Sequence, residues 1–296
     1  MLELHGVSKV YKTGTFGRGS TLAVDDVSFA VRPGEVVSLI GESGSGKSTI
    51  GRMILRLTNV TDGSIDYEGN DIALVGGRAL KGYYRSVQGV FQDPFSSYNP
   101  IFKADRVFRL IRSEYFADVS ATDWRQRIDA SLHAVSLNPR DVLGKYPHQL
   151  SGGQLQRLLI ARALLLDIKI LVADEVISML DASTRIDVLN LLGELKQRGL
   201  GILLITHDLA LGNYISDSAV ILRQGRVVER GTTAKVFDNP LHPYTQELLA
   251  SVPRLDAKWS DETVSDLPDV ASDVGVGALV EVEDDHFVAS VAGASS

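Results

Sequence analysis

The chain of 296 residues is long enough for one large or two smaller domains, and no apolar run approaches the roughly 20 residues that span a bilayer. Cysteine is absent, which excludes disulfides and thiolate-bound metal sites, and the N-terminus lacks the basic and apolar segments of a secretory signal. The net charge of −7 comes from residues 256–296, where ten acids accompany one lysine, so the rest has no basic excess for nucleic acid. We therefore expect a cytoplasmic protein that has no nucleic-acid partner and meets a membrane only through other subunits.

The first part of the sequence predicts strands followed by a glycine-rich loop and a helix. Strands are indicated over residues 2–11, 24–31 and 35–40, and the Gly- and Thr-rich residues 12–20 indicate a loop. After Gly41 the apolar residues change to helical spacing. They are Ile50, Met53, Ile54 and Leu57.

The rest of the chain alternates helices with strands. Residues 94–146 contain several helical stretches and little β-branched alternation, which predicts an inserted α-helical subdomain. Further elements are predicted as strands at 169–173 and 201–205, a helix at 182–198, and a hairpin of 219–222 with 226–229. This alternation predicts a largely parallel sheet, whose ligands gather at the carboxyl ends of its strands. In the acidic tail we expect disorder, with a strand or two within 277–294.

Residues 41–49 match the phosphate-loop pattern G-x-x-x-x-G-K-[ST] between a strand and a helix. The glycines allow backbone N–H groups to surround the β- and γ-phosphates, and the helix N-terminus adds partial positive charge. Lys47 is expected to reach the terminal phosphates of ATP, and the Ser48 hydroxyl to bind Mg²⁺. The predicted nucleotide-binding residues here are Gly41, Ser43, Gly44, Ser45, Gly46, Lys47, Ser48 and Thr49.

Two acids, Asp174 and Glu175, end a predicted buried strand. Asp174 is suited to hold Mg²⁺ through its water shell, and Glu175 to polarise the attacking water as a general base. Taken alone, such a pair is more often a solvated strand end. The phosphate loop in the same chain favours the catalytic interpretation.

Residues 150–154, Leu-Ser-Gly-Gly-Gln, open another predicted helix. Ser151 followed by Gly152 and Gly153 at a helix start is a second anion-binding nest. One nucleotide does not need two nests, so this one is expected to cap a nucleotide bound by a different subunit in a head-to-tail pair. With Gln-Arg following at 156–157, the run resembles the signature motif of the ABC ATPases.

The resemblance covers residues 1 to about 255 and implies further roles for single residues. Tyr11 falls where the family places an aromatic that stacks on adenine, and Gln92 matches the loop glutamine that senses Mg²⁺ and the γ-phosphate. Asp181 falls in the loop that crosses between paired subunits, and His207 matches the switch histidine that contacts the γ-phosphate. The implied catalytic set is Lys47, Gln92, Glu175 and His207, the implied magnesium set is Ser48, Gln92 and Asp174, and the signature residues are Ser151, Gly152, Gly153 and Gln154.

The family resemblance also implies the architecture. We expect an α/β P-loop NTPase with a RecA-like core, an antiparallel β subdomain and an inserted α-helical subdomain. The expected divisions are 1–93 for the β subdomain and the first part of the core, 94–165 for the helical subdomain ending with the signature motif, 166–235 for the second part of the core, and 236–296 for a C-terminal extension with an acidic tail.

Flanking segments narrow the subgroup. Residues 92–100, 146–149 and 239–245 resemble the dipeptide, oligopeptide and nickel importer ATPases. Members of that subgroup often carry cysteines suggestive of an iron–sulfur cluster in the extension, whereas this chain ends the corresponding stretch 286–290 in serine, so no such cluster is expected. A second departure is Val176, where the family usually has proline, and this change is expected to hold Glu175 less rigidly.

The resemblance implies an ATP- and Mg²⁺-dependent subunit that energises an oligopeptide-class importer from the cytoplasmic face of the membrane. The implied partners are a second ABC ATPase subunit, identical or paralogous, two transmembrane permeases and an external solute-binding protein. Alternatives are a regulatory or weakly hydrolysing ATP clamp in a heteromeric pair, and a non-transport ABC ATPase. DNA-repair or chromosome-organising members would need a long coiled coil or a zinc module, which heptads and cysteines would indicate and this sequence lacks.

Overall fold

The computed structural model describes residues 1–13, 19–178, 180–251 and 276–291, which form two β-sheets with helices packed around them. The strands are β1 Leu2–Thr13, β2 Gly19–Val31, β3 Val36–Ile40, β4 Asp62–Tyr67, β5 Asn70–Asp71, β6 Val87–Val90, β7 Ile170–Asp174, β8 Gly201–Thr206, β9 Ser218–Arg223, β10 Arg226–Thr232, β11 Val276–Glu283 and β12 His286–Val291. The helices are α1 Lys47–Ile54, α2 Gly77–Ser86, α3 Arg106–Tyr115, α4 Ala121–Ala134, α5 Pro139–Val142, α6 Gly152–Leu164, α7 Ala182–Gln197, α8 Leu209–Ile215, α9 Thr233–Asp238 and α10 Pro243–Ala250. The expected α/β fold is confirmed.

The larger sheet has eight strands in the order β11-β12-β10-β9-β3-β8-β7-β6. Its strands are parallel from β9 to β6 and antiparallel from β9 to β11. Every residue of β3, β7 and β8 is buried, and successive side chains enter different apolar clusters, as Val36 and Val37 do. Because both faces are covered, these strands are continuous apolar runs in the sequence.

The smaller sheet, β2-β1-β4-β5, is antiparallel and packs over α1. Ile50 and Met53 of α1 share one apolar cluster with Leu4 of β1 and Leu39 of β3. The helix therefore lies between the two sheets. This placement brings the loop that precedes α1 to the junction of both sheets.

Helices α3 to α6 follow one another along the chain and bury their apolar faces in a single cluster, with Phe108, Trp124, Leu132 and Leu155 among its members. At the edge of the larger sheet away from β6, the hairpin β11–β12 joins β10 through antiparallel pairs such as Gly231 with His286. The C-terminal hairpin thus extends the central sheet.

Several predicted boundaries differ from the observed ones. The loop predicted at 12–20 is shorter, because β1 and β2 remain paired as far as Thr13 and Gly19, and residues 14–18 lie outside the described ranges. Helix α1 ends at Ile54, and Leu57, which we expected on its apolar face, is 63% exposed. Arg56 adopts φ 54°, a left-handed conformation that ends the helix before Leu57.

Within the described ranges, no helix combines the length and the apolar character needed to cross a bilayer.

Candidate functional site

Two glycines determine how the loop between β3 and α1 fits against its surroundings. A Cβ on Gly41 would lie 2.1 Å from the carbonyl oxygen of Leu222. Gly46 has φ +105°, and a Cβ there would lie 2.4 Å from the carbonyl oxygen of Ala23. Because backbone atoms cannot move aside as flexible side chains do, both positions require glycine. The loop is therefore pressed against β2 on one side and the end of β9 on the other.

Lys47 turns back into this loop and is only 5% exposed. Its ammonium group donates hydrogen bonds to the carbonyl oxygens of Gly41 and Glu42, each at 2.7 Å. Burial lowers the pKa of Lys47, and the nearby carboxylates, first Glu175 and then Asp174, partly oppose that effect. A cation at this depth attracts an anion into the loop more strongly than an exposed one, because water screens it less.

Asp174 and Ser48 place two oxygen atoms side by side at the start of α1. The Ser48 hydroxyl donates to Oδ1 of Asp174 at 3.1 Å, and Asp174 is 9% exposed. Burial raises the pKa of Asp174, while the hydrogen bond from Ser48 lowers it. Among the described residues no cluster of three or more His, Cys, Asp or Glu side chains forms a metal cage. A hydroxyl with a single carboxylate fits Mg²⁺, which keeps most of its ligands as water and substrate phosphate.

Glu175 is held in an uncommon backbone conformation, with φ 49°. Its N–H donates to the Ile205 carbonyl at 2.9 Å, and its own carbonyl accepts the N–H and hydroxyl of Ser178 at 3.1 and 2.9 Å. Its carboxylate Oε1 lies 3.1 Å from Nδ1 of His207. Together with Arg185, both side chains line a cavity of about 70 Å³, which has room for water.

Val176 is 2% exposed and belongs to the same apolar cluster as Ala173 and Leu180. The Glu175 backbone hydrogen bonds and the packing of Val176 support this segment, and the looser positioning of Glu175 stays a prediction. Slower hydrolysis on account of Val176 stays a prediction.

Strand register explains how distant residues meet at one edge of the larger sheet. Ile40 pairs with Thr206, Asp174 with Ile205, and Val90 with Ala173, so the carboxyl ends of β3, β8, β7 and β6 are level. The residues that follow or end these strands are Gly41, His207, Asp174 and Gln92. Gln92 is exposed one residue after Phe91, with no hydrogen bond to another described residue.

Tyr11 lies on β1, opposite Thr21 of β2, with the ammonium of Lys9 5.0 Å from the centre of its ring. On β2, Ala23 is the residue whose carbonyl contacts Gly46. The tyrosine is therefore two positions along the paired strands from the phosphate loop.

The signature run forms the start of α6. Ser151 and Gln154 make a reciprocal capping box, in which Gln154 N–H donates to Ser151 Oγ at 3.2 Å and Ser151 N–H to Gln154 Oε1 at 3.0 Å. The N–H groups of Gly152 and Gly153 donate to no described residue. Two backbone donors at this helix start remain available for an anion.

Asp181 caps α7 directly beside the signature run. It accepts Thr184 N–H at 3.0 Å, the Thr184 hydroxyl at 2.8 Å and the Ser183 hydroxyl at 2.7 Å, and these bonds lower the pKa of Asp181. A Cβ on Gly153 would lie 2.6 Å from Cγ2 of Thr184. The structure thus packs the signature glycine against the Asp181 turn; Met179, next to that turn, lies outside the described residues.

Comparison with known proteins agrees with this geometry. The sequence profile of the ABC transporter family matches residues 24–178, and the profile of the oligopeptide/dipeptide transporter C-terminal region matches residues 228–274. The chain belongs to the ABC transporter family. It is an ATPase of that family, as the sequence resemblance implied.

Curated relatives of this ABC ATPase include the oligopeptide transport ATP-binding protein OppF of Streptococcus mutans serotype c, 38% identical over 97% of this chain and 94% of the relative. The oligopeptide transport ATP-binding protein AppF of Bacillus subtilis is 42% identical over 86% of this chain and 78% of that protein. Among solved structures, a dimeric ATP-binding cassette in a post-hydrolysis state with ADP and Pi superposes with a TM-score of 0.70. It is 30% identical and is matched over 79% of this chain and 99% of the cassette.

Some residues that shape the site of this ABC ATPase were not predicted from the sequence. Ala23 and Leu222 make their nearest approach to the phosphate loop through backbone carbonyls, which side-chain identity does not reveal. Gly225 donates its N–H to the Ser45 carbonyl at 2.9 Å, and Tyr244 accepts the N–H of Glu42. The tyrosine belongs to the run 239–245 that marked the subgroup, but a motif cannot show which distant loop it contacts.

Proposed function

We propose that this ABC ATPase binds and hydrolyses ATP to energise an oligopeptide importer. The observation that carries the proposal is the meeting of the phosphate loop, Asp174, Glu175 and His207 at one sheet edge. The cargo class is supported by the function for which the relatives are named, oligopeptide transport, and by the C-terminal profile match.

Nucleotide binding falls to residues around the start of α1. The backbone N–H groups of residues 43–49 and the Lys47 ammonium hold the phosphates, and Tyr11 supplies an aromatic face for the adenine. Ser48, Asp174 and, from the β6 end, Gln92 supply oxygen ligands around Mg²⁺, directly or through water. The ion neutralises phosphate charge when bound.

Hydrolysis falls to Glu175 and His207. A general base must lie within hydrogen-bond reach of its water, and the cavity beside Glu175 can hold one. His207 is 3.1 Å from the Glu175 carboxylate, close enough to orient it, and we assign the contact with the γ-phosphate to the same side chain. Burial of Lys47 and of the strand ends reduces screening, which strengthens electrostatic stabilisation of the transition state.

A second ATPase subunit completes each site. Ser151, Gly152, Gly153 and Gln154, with Asp181, act on the nucleotide held by the partner's phosphate loop. Two observations support this arrangement: the glycine N–H groups at the start of α6 have no partner among the described residues, and the related cassette is dimeric. Closure of the pair then depends on ATP.

The permease surface is assigned to a groove of about 550 Å³ on the helical part, 94–165. Exposed apolar side chains border it, with Ile101 76% and Phe102 42% exposed, and Arg106 and Arg109 line it. Such a patch on a soluble subunit is typical of a protein interaction site. This role implies two permeases, an external solute-binding protein and a place on the cytoplasmic face of the membrane. The other proposed divisions of the chain are 1–93, 166–235 and 236–296.

Glu175→Gln tests the hydrolytic assignment. The amide cannot take a proton from water, so ATPase turnover should fall by about 10²–10⁴-fold while ATP binding remains, and ATP should now hold a stable dimer. Turnover is measured as phosphate release, and the oligomeric state by light scattering with ATP or ADP. Glu194→Gln, at an exposed position of α7 with only an i,i+4 ion pair to Arg198, is the matched control.

An unchanged turnover of Glu175→Gln would show that the base lies elsewhere. A wild-type chain that binds ATP and dimerises without turnover would instead favour the regulatory clamp.

A further inference from the structure

A buried hydrogen-bond network connects the C-terminal hairpin to the core. Glu229 of β10 is 0% exposed, and its carboxylate accepts three N–H groups. The donors are His286 Nε2 at 2.8 Å, Leu241 N–H at 2.9 Å and His242 N–H at 3.0 Å. A buried carboxylate is costly unless it is hydrogen-bonded, so Glu229 ties the 241–242 backbone to β12.

His286 occupies the inner side of this network and is itself 0% exposed. Beside a carboxylate oxygen, which accepts hydrogen bonds, the imidazole tautomer that fits the contact donates from Nε2. Its Nδ1 has no hydrogen-bond partner among the described residues. Among the described residues, the His286 imidazole therefore bonds to Glu229 alone, so removing this side chain takes one hydrogen bond from the network.

The segment held by Glu229 leads directly into α10. His242 Nδ1 accepts the N–H of Tyr244 at 3.1 Å and so caps this helix. The Tyr244 side chain is 3% exposed, with the Arg223 guanidinium 4.9 Å from its ring centre. Its hydroxyl accepts the N–H of Glu42, the second residue of the phosphate loop, at 3.2 Å.

The same loop has another support on this side. Gly225, in the turn between β9 and β10, donates its N–H to the Ser45 carbonyl at 2.9 Å. The loop thus has one contact with Tyr244, through Glu42, and one with the β9–β10 turn, through Ser45. Glu42 itself is exposed, so its own side chain does not anchor the peptide.

We propose that the C-terminal extension positions the phosphate loop for nucleotide binding. The Tyr244 hydroxyl holds the Glu42 N–H, in addition to the Lys47 bonds to the neighbouring carbonyls, and the Glu229–His286 pair supports Tyr244. A loop held in its binding conformation before the ligand arrives loses less conformational freedom on binding. This inference rests on the proposed ATP-binding function and adds a part of the chain that lies outside the signature and phosphate-loop motifs.

Tyr244→Phe removes only the hydroxyl and tests the first step. One lost hydrogen bond of this kind should weaken ATP binding by about three- to tenfold, with kcat at saturating ATP within about twofold of wild type. Tyr83→Phe is the matched control, because Tyr83 is 4% exposed and its hydroxyl donates to Ile54 at the far end of α1. The Kd for ATP is measured on the full chain by calorimetry, at a temperature where thermal unfolding shows all variants folded.

His286→Ala and the double variant with Tyr244→Phe test the second step. If His286 acts through Tyr244, His286→Ala should weaken ATP binding, and in the double variant the Kd should be no higher than the larger single effect. A general loss of stability would instead lower the unfolding temperature and leave the Kd of the folded protein unchanged.

An ATP Kd of Tyr244→Phe equal to that of wild type and Tyr83→Phe would overturn the positioning role. Multiplying effects in the double variant would overturn the link to His286. A wild-type chain that binds no ATP would instead contradict the proposed function, so the two failures are distinguishable. If His286→Ala does not fold, Tyr244→Phe still decides the first step.

Discussion

Gly153→Ala tests the packing of the signature run against the Asp181 turn. The added Cβ would lie 2.6 Å from Cγ2 of Thr184, closer than Cβ atoms approach other heavy atoms. Thr184 cannot easily turn away, because its hydroxyl and N–H both donate to Asp181. Either the turn or the start of α6 must shift.

The matched control is Gly152→Ala, whose Cβ would meet only Phe95 at 3.9 Å, an ordinary contact. Both changes add a methyl group to the first turn of α6, so any gain in helix propensity, up to about 1 kcal/mol, is similar in the two. The difference between them isolates the overpacking cost, about 1–3 kcal/mol. For a chain of this size we expect the Tm of Gly153→Ala to lie roughly 2–10 °C below that of Gly152→Ala.

The assay is thermal unfolding of the nucleotide-free chain. Thr184→Ser removes the clashing Cγ2 and keeps the hydroxyl bond to Asp181, so it should restore most of the lost Tm in the Gly153→Ala background. Equal Tm values for the two alanine variants, or no rescue by Thr184→Ser, would refute the packing argument.

The remaining predictions concern Asp174 and Ser48, the proposed magnesium ligands. Because burial raises the folded-state pKa of Asp174, the folded protein holds this proton at pH values where the unfolded chain has lost it, and stability falls as pH rises from about 4 through the raised pKa. Asp174→Asn should remove this dependence of stability on pH and raise the Tm of the nucleotide-free protein at pH 7, while lowering ATPase activity. The measurement is thermal unfolding between about pH 4 and 8. A Tm at pH 7 no higher than that of wild type would contradict the prediction. Ser48→Ala should raise the Mg²⁺ concentration for half-maximal ATPase by about tenfold or more, and an unchanged magnesium titration of phosphate release would exclude Ser48 from the site.

The sequence predicted the core of this fold because its strands are buried on both faces. Val36 to Ile40, Ile170 to Ala173 and Gly201 to Ile205 are short, mostly apolar runs, which is the pattern of strands in a sheet covered on both sides. Helix ends were less predictable. Helix α1 ends before Leu57 because Arg56 adopts a left-handed conformation, which no local sequence pattern predicts. The phosphate loop could be predicted from the sequence because its glycines and lysine lie within nine consecutive residues, 41–49.

What the sequence determined by itself is therefore local: the phosphate loop, the signature run, the acids that end β7, and the family to which the chain belongs. The tertiary structure decided what strand register and close packing bring together. It set Glu175 3.1 Å from His207, pressed Gly153 against Thr184, and carried the C-terminal hairpin through Glu229 to Tyr244 and the Glu42 peptide. The residues joined by these four contacts are 31 to 202 positions apart, so no local pattern in the sequence encodes them.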